Sequence, residues 1–248
     1  MSKVMLITGA SRGIGAATAR LAAAQGYALC LNYRERREAA EALLRQLEAS
    51  GTEAIAVAAD VADEEQVMRL FERLDQAFGR LDVLVNNAGL LEPQARLEQM
   101  DAARLQRVFG ANVIGCFLCA REAVKRMSTH HGGQGGAIVN LSSMAARLGA
   151  PNEYIDYAAA KGAIDSLTIG LAKEVAAEGI RVNGVRPGLI HTDIHASGGE
   201  PGRIERLKSS VPLGRGGDPE EVARAILWLA GDEASYTTGT LLDVSGGR

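Results

Sequence analysis

A chain of 248 residues with 47% hydrophobic but only 4% aromatic side chains has room for one α/β domain with an aliphatic core and no need of a second. A net charge of -3 excludes the electrostatic footprint of a nucleic-acid binder and offers no basic tail to a membrane surface. Three cysteines (Cys30, Cys116, Cys119), no cleavable apolar leader and no uncharged apolar run of spanning length point to a cytoplasmic protein without a disulfide framework.

In chain order, Lys3 to Ile7 predicts a first strand, followed by the turn Thr8-Gly9-Ala10-Ser11-Arg12-Gly13-Ile14-Gly15 and a helix from Gly13 to Gln25. Strands are then expected at Ala28 to Asn32, Ala54 to Ala58, Asp82 to Val85, Ala137 to Leu141, Ile180 to Val185 and Leu241 to Val244. Helical periodicity fills the gaps at Glu35 to Ser50, Asp63 to Phe78, Asp101 to Met127, Tyr154 to Glu178 and Pro219 to Leu229. Asp63 and Asp218 stand at N-cap positions, while Gly26, Gly51, Gly79 and Gly179 stand where helices end. Such strict alternation predicts a single doubly wound parallel sheet over residues 1–248, helices on both faces, with the glycine-rich Thr129 to Gly136 as a surface turn. Residues of about 190–212 follow the sixth strand at the carboxyl edge of the sheet, where ligands bind, and within them Ser197 to Gly202 has the composition of a mobile lid.

Two motifs carry chemistry. The first is the glycine turn, whose backbone amides and helix N-terminus can face a pyrophosphate. The second is Tyr157-Ala-Ala-Ala-Lys161, whose spacing puts phenol and ammonium on one helix face. At roughly 4 Å and an effective dielectric near 20, a lysine charge stabilises a phenolate by on the order of 4 kcal/mol, enough to draw a tyrosine towards neutral pH. Cys116 and Cys119 have redox-pair spacing but sit in an amphipathic helix, where two small buried side chains are the simpler reading. His191 and His195 flank Asp193 in a loop, so no metal site is expected there, and His195 is read as facing substrate.

Together with Asp60-Val61, Asn86-Asn87-Ala88-Gly89, Asn112, Ser142-Ser143 and Arg186-Pro187-Gly188, these motifs resemble the classical short-chain dehydrogenase/reductase family over nearly the whole chain. The resemblance implies a seven-stranded Rossmann-type sheet in order 3-2-1-4-5-6-7 and an oxidoreductase that interconverts a carbonyl and an alcohol by hydride transfer. It implies that Tyr157 exchanges a proton with the substrate oxygen, that Lys161 holds the nicotinamide ribose and lowers the phenol pKa, that Ser143 bonds the substrate oxygen, and that Asn112 holds a relay water. Cofactor contacts are implied at Gly9, Ser11, Gly13, Ile14, Gly15, Pro187 and Gly188, with Asp60 and Val61 at the adenine, Asn87 and Gly89 at the ribose, and Ile190 and Thr192 at the carboxamide. The family's serine usually lies thirteen residues before the tyrosine, where this chain has Met144. Ser143 is one residue further, which suggests an insertion within Arg147 to Ile155 and leaves Ser142 as the alternative.

An acidic residue after the second strand would grip an adenosine 2′-hydroxyl. Here the segment reads Asn32-Tyr33-Arg34, and Arg34 with Arg12 favours NADP(H) over NAD(H) through two guanidinium contacts to a 2′-phosphate. The substrate alternatives are a sugar or polyol and a carrier-bound 3-oxoacyl group, the latter offered only a thin basic patch of Lys125, Arg126 and Lys173. A cofactor-sensing protein without turnover is the rival from another class. The two long apolar helices and the carboxyl-terminal run suggest a homotetramer.

Overall fold

The structure, a computed structural model, describes residues 2–248. In chain order its elements are β1 (Val4–Ile7), α1 (Gly13–Ala24), β2 (Ala28–Tyr33), α2 (Arg37–Ala49), β3 (Ala54–Ala58), α3 (Glu64–Phe78), β4 (Val83–Asn86), α4 (Ala102–Phe109), α5 (Gly115–Met127), β5 (Gly136–Leu141), α6 (Ala145–Leu148), α7 (Ile155–Val175), β6 (Ile180–Pro187), α8 (Ile194–Ser197), α9 (Arg203–Leu207), α10 (Pro219–Ala230) and β7 (Leu241–Val244). The seven strands form one parallel sheet in the order β3-β2-β1-β4-β5-β6-β7, with a switch point between β1 and β4. That reversal opens a crevice at the carboxyl ends of the strands, and the ligand site follows from it.

Central strands are buried along their whole length, which is why they read as unbroken aliphatic runs such as Val-Met-Leu-Ile in β1. One face packs Met5, Ile7, Leu29 and Leu31 against α1, α2 and α10. The other packs Leu6, Leu84, Ile138 and Val182 against α3, α5 and α7 around Phe71. The caps behave as their side chains dictate: Asp63 accepts from the Gln66 amide at 3.1 Å, and Asp218 forms a reciprocal capping box with Glu221. Gly26, Gly51, Gly79 and Gly179 all take positive φ at the ends of helical segments.

Four differences from the sequence expectations matter for the site. The predicted helix from Asp101 to Met127 is divided by a π turn, Gly110–Ile114, into α4 and α5. The helix expected from Tyr154 begins at Ile155, and a short α6 precedes it. Between α6 and α7, Ala150 (φ 45) and Asn152 (φ 62) adopt left-handed backbone without being glycine, inside the stretch expected to hold an insertion. Ala150 also precedes a proline, which makes the conformation more costly still. Finally, residues 190–212 contain the short helices α8 and α9, with a hydrogen-bonded turn between them, where the sequence assigned no secondary structure.

Candidate active site

A cleft of about 640 Å³ runs along the carboxyl edge of the sheet. Every candidate catalytic and cofactor residue named from the sequence lines it except Gly15 and Asn112.

At its floor is the turn between β1 and α1. Gly9 and Gly13 have φ of 62° and 53°, where a side chain would be strained, and a Cβ on Gly9 would come within 2.9 Å of the Ala88 backbone. Gly15 lies inside the turn, since a Cβ there would meet Asn87 Nδ2 and the Gly9 carbonyl, both at 2.6 Å. No side chain caps α1, so its first amides face the cleft unpaired, as a phosphate cradle requires. Asn32 and Asn87 brace this turn. Asn32 Oδ1 accepts from the Gly9 amide at 3.2 Å and its Nδ2 donates to the Ala59 carbonyl at 2.9 Å, while Asn87 Nδ2 donates to the Thr8 and Gly9 carbonyls at 2.8 and 3.0 Å. The side chain of Asn32, buried and doubly bonded, therefore shapes the cofactor site from behind.

Beyond it lie charged side chains at the surface. Arg34 pairs with Glu35 at 2.6 Å and approaches Asp60 at 3.8 Å, while Arg12 reaches Asp193 at 3.5 Å and Ser197 Oγ at 3.3 Å. Arg36, not singled out from the sequence, also faces Asp193 at 3.9 Å; its position two residues beyond Arg34 was the available signal. All are partly solvated, so these pairs are weak and a phosphate can displace the carboxylates. The contact of Arg12 with α8 also ties the glycine turn to the segment that covers the cleft.

At the opposite end, α7 presents Tyr157 and Lys161. The Lys161 ammonium is buried, donates to the Leu141 carbonyl at 2.7 Å and lies 5.5 Å from the centre of the Tyr157 ring. Burial draws its pKa down to about 8. Part of the Tyr157 ring faces the cleft, but the enclosure of the rest pushes the phenol up to about 12, opposed by the Ser143 side chain. Burial thus opposes the pull towards neutrality that a lysine charge exerts on a phenol.

Both serines line the cleft. Ser142 is buried and donates to the Lys161 carbonyl at 3.1 Å, while the Ser143 side chain neighbours the phenol and draws its pKa down. Asn112 lies behind, in the π turn: its Nδ2 donates to the Leu90 and Val108 carbonyls, each at 2.8 Å, and its Oδ1 accepts from the Leu90 amide at 3.2 Å. Both Nδ2 hydrogens are thus engaged, which leaves the oxygen atoms of Asn112 as the groups that can accept from a relay water. His195 lines the cleft and is largely buried, with Nε2 at 3.1 Å from the Ile190 carbonyl. Burial holds it below the ordinary imidazole pKa. Cys116 and Cys119 are buried, and burial raises both thiols, Cys116 to about 12.

The covering segment is held by Tyr154, whose hydroxyl donates to the Gly198 carbonyl at 3.2 Å, and by ion pairs of Arg203 and Arg206 with Glu153 and Glu200. Leu90, Leu91, Met144, Leu148, Leu189 and Leu207 give the adjoining wall an apolar lining. These residues, with Arg203 and Arg248, carry no local spacing that marks them in the sequence.

A family model described as enoyl-(acyl carrier protein) reductase matches residues 9–248. The chain is 55% identical over 245 residues to the uncharacterized oxidoreductase YgfF of Escherichia coli, covering 99% of each. It is 42% identical to a cis-4-hydroxycyclohexanecarboxylate dehydrogenase of Sinomonas cyclohexanicum, covering 99% of this chain and 96% of the other. A short chain dehydrogenase from Burkholderia cenocepacia, solved in complex with NADP, superposes with a TM-score of 0.91 at 33% identity, over 99% of this chain and 97% of that one.

Proposed function

The chain belongs to the short-chain dehydrogenase/reductase family of NAD(P)-dependent oxidoreductases, and from that premise we propose that it is an NADPH-preferring reductase of small ketones. The observation that supports this reading is the grouping of Ser143, Tyr157 and Lys161 on one stretch of the cleft, with the Lys161 ammonium 5.5 Å from the centre of the Tyr157 ring. A general acid must hold its proton until charge develops on the substrate.

The dinucleotide, when bound, supplies or accepts the hydride. The chain's own residues do the rest. The Ser143 hydroxyl donates to the carbonyl oxygen and orients it, stabilising the charge that grows there. Tyr157 gives its phenolic proton to that oxygen. The Lys161 ammonium then stabilises the phenolate from below the ring, and its contact with Leu141 fixes it in place. Asn112 keeps the π turn open beside these groups, a positioning role carried by its bonds to Leu90 and Val108. Leu90, Leu91 and the covering segment exclude water from the reacting end.

Preference for the phosphorylated cofactor rests on Arg12 and Arg34 at the adenosine end, with Arg36 as a third guanidinium and no carboxylate at the position after β2. A free small alcohol or ketone is favoured over a carrier-bound acyl group. Lys125 and Arg126 are neutralised by Glu122 and Asp75, and neither lines the cleft. The relative that acts on a hydroxycyclohexanecarboxylate accords with a secondary alcohol on a compact body.

We propose a homotetramer on the outward faces of the two long helices, where Leu105, Ile114, Phe117 and Ile169 are 36%, 52%, 48% and 40% exposed. The reductase reading is tested by following NADPH oxidation by purified protein against neutral ketones, acetoacetyl thioesters and sugars. Turnover of ketones ahead of the other two is expected. Tight cofactor binding with no turnover of any of them would make the protein a dinucleotide sensor instead.

A further inference from the structure

The wall of the cleft away from Tyr157 carries charge that hydride transfer does not use. Arg203 pairs with Glu153 and Glu200 and stacks over Tyr154, its guanidinium 4.9 Å from the ring centre. Arg206 donates to the same two carboxylates at 2.8 and 2.9 Å. Two carboxylates are thus matched by two guanidiniums, and the set is balanced.

Arg248 adds a third guanidinium. It lines the same cleft, half-buried, and no carboxylate among the described residues forms an ion pair with it. Burial and the neighbouring charge of Arg203 both hold its pKa below that of an ordinary arginine, and Glu153 offsets them only partly. Such a side chain stays charged regardless. The tail that carries it is anchored: the Leu213 amide donates to the Gly246 carbonyl at 3.1 Å, and Ser245 Oγ donates to the Arg248 main-chain oxygen at 3.1 Å. A guanidinium paired with no side-chain carboxylate on a partly apolar wall is stabilised most by an incoming anion.

We propose that the substrate carries an anionic group remote from its reacting carbonyl and that Arg248 binds it, making keto acids preferred over neutral ketones. The inference rests on the reductase reading above. The anion has two possible sources, the carboxylate of a free acid or the phosphate of a pantetheine thioester, and both enter the test.

Wild type, Arg248→Gln and Arg248→Lys are compared with levulinate, methyl levulinate and an acetoacetyl phosphopantetheine thioester. In Arg248→Gln, kcat/KM for levulinate should fall roughly tenfold to a hundredfold relative to methyl levulinate, the size of a lost charge-assisted contact. Arg248→Lys should recover part of it. A selective fall for the thioester instead assigns the anion to phosphate. Equal losses for acid and ester, or no loss with either anion, overturn the proposal while ester turnover leaves the reductase reading standing. Should no compound turn over, calorimetric binding of levulinate to the NADPH complex decides the matter. Binding abolished in Arg248→Gln supports the site, and equal or absent binding in both proteins refutes it.

Discussion

The two ends of the cleft are built on opposite physical terms. At the end proposed for hydride transfer, Tyr157, Lys161 and Ser142 are held by buried or half-buried contacts on α7 and at the end of β5, and burial displaces the titrations of the phenol and the ammonium. At the adenosine end, Arg12, Arg34 and Arg36 are solvated and share the carboxylates of Glu35, Asp60 and Asp193. Buried groups cost much to rearrange, so chemistry is set by the fold. Solvated ion pairs cost little, so cofactor choice is open to change by single surface substitutions.

The largest break in that comparison should come at the phenol. Tyr157→Phe keeps the ring packing and removes only the proton donor, so turnover is expected to fall by roughly a thousandfold or more with NADPH affinity nearly unchanged. Lys161→Ala should lose both if, as proposed, the ammonium serves ribose and phenol together. Fluorescence titration of NADPH beside steady-state rates separates the two, and equal binding losses would contradict the division.

The buried lysine makes a second, thermodynamic prediction. Its folded pKa of about 8 lies below the ordinary 10.5, so between these values the unfolded chain binds more protons and stability rises with pH. The full penalty, roughly 3 kcal/mol, is present below pH 8 and is relieved towards pH 10. Lys161→Met lacks this term. Its stability advantage over wild type in urea denaturation should be greatest near pH 7 and shrink by pH 9.5, and a difference that does not vary with pH would count against the burial argument.

A smaller effect is expected at the solvated end. Arg12→Ala with Arg34→Ala should raise the KM for NADPH at least about tenfold while hardly moving that for NADH, from contacts worth roughly 1.5–3 kcal/mol each. Wild-type protein that already prefers NADH would refute the assignment. Smallest of all, Ala150→Gly relieves a left-handed alanine beside the cleft at the expense of a looser unfolded chain, and a net gain below about 1 kcal/mol should appear as a slightly higher Tm. A drop in Tm would mean that the backbone there is not strained.

How legible each part was in the sequence follows the same division. All seven strands stood out because they are short aliphatic runs, the central ones buried on both faces, and Tyr157 with Lys161 stood out because helical spacing alone places them together. The π turn at Gly110–Ile114 did not, since one extra residue in a turn leaves the apolar periodicity of α4 and α5 almost unaltered. Asn32, read as a cofactor contact, lines the cleft as expected, yet its bonds to Gly9 and Ala59 join two turns that only the sheet brings together.

What the sequence determined by itself is therefore whatever local pattern can encode: the alternation of strand and helix, the glycine turn, the shared face of Tyr157 and Lys161. Tertiary structure alone decided that Ser142 turns to the Lys161 carbonyl, how burial acts on phenol and ammonium, and that Arg203 and Arg248, 45 positions apart in the chain, meet on one wall of the cleft. Desolvation and the summed field of distant charges depend on everything packed around a group, and no spacing along the chain records that sum.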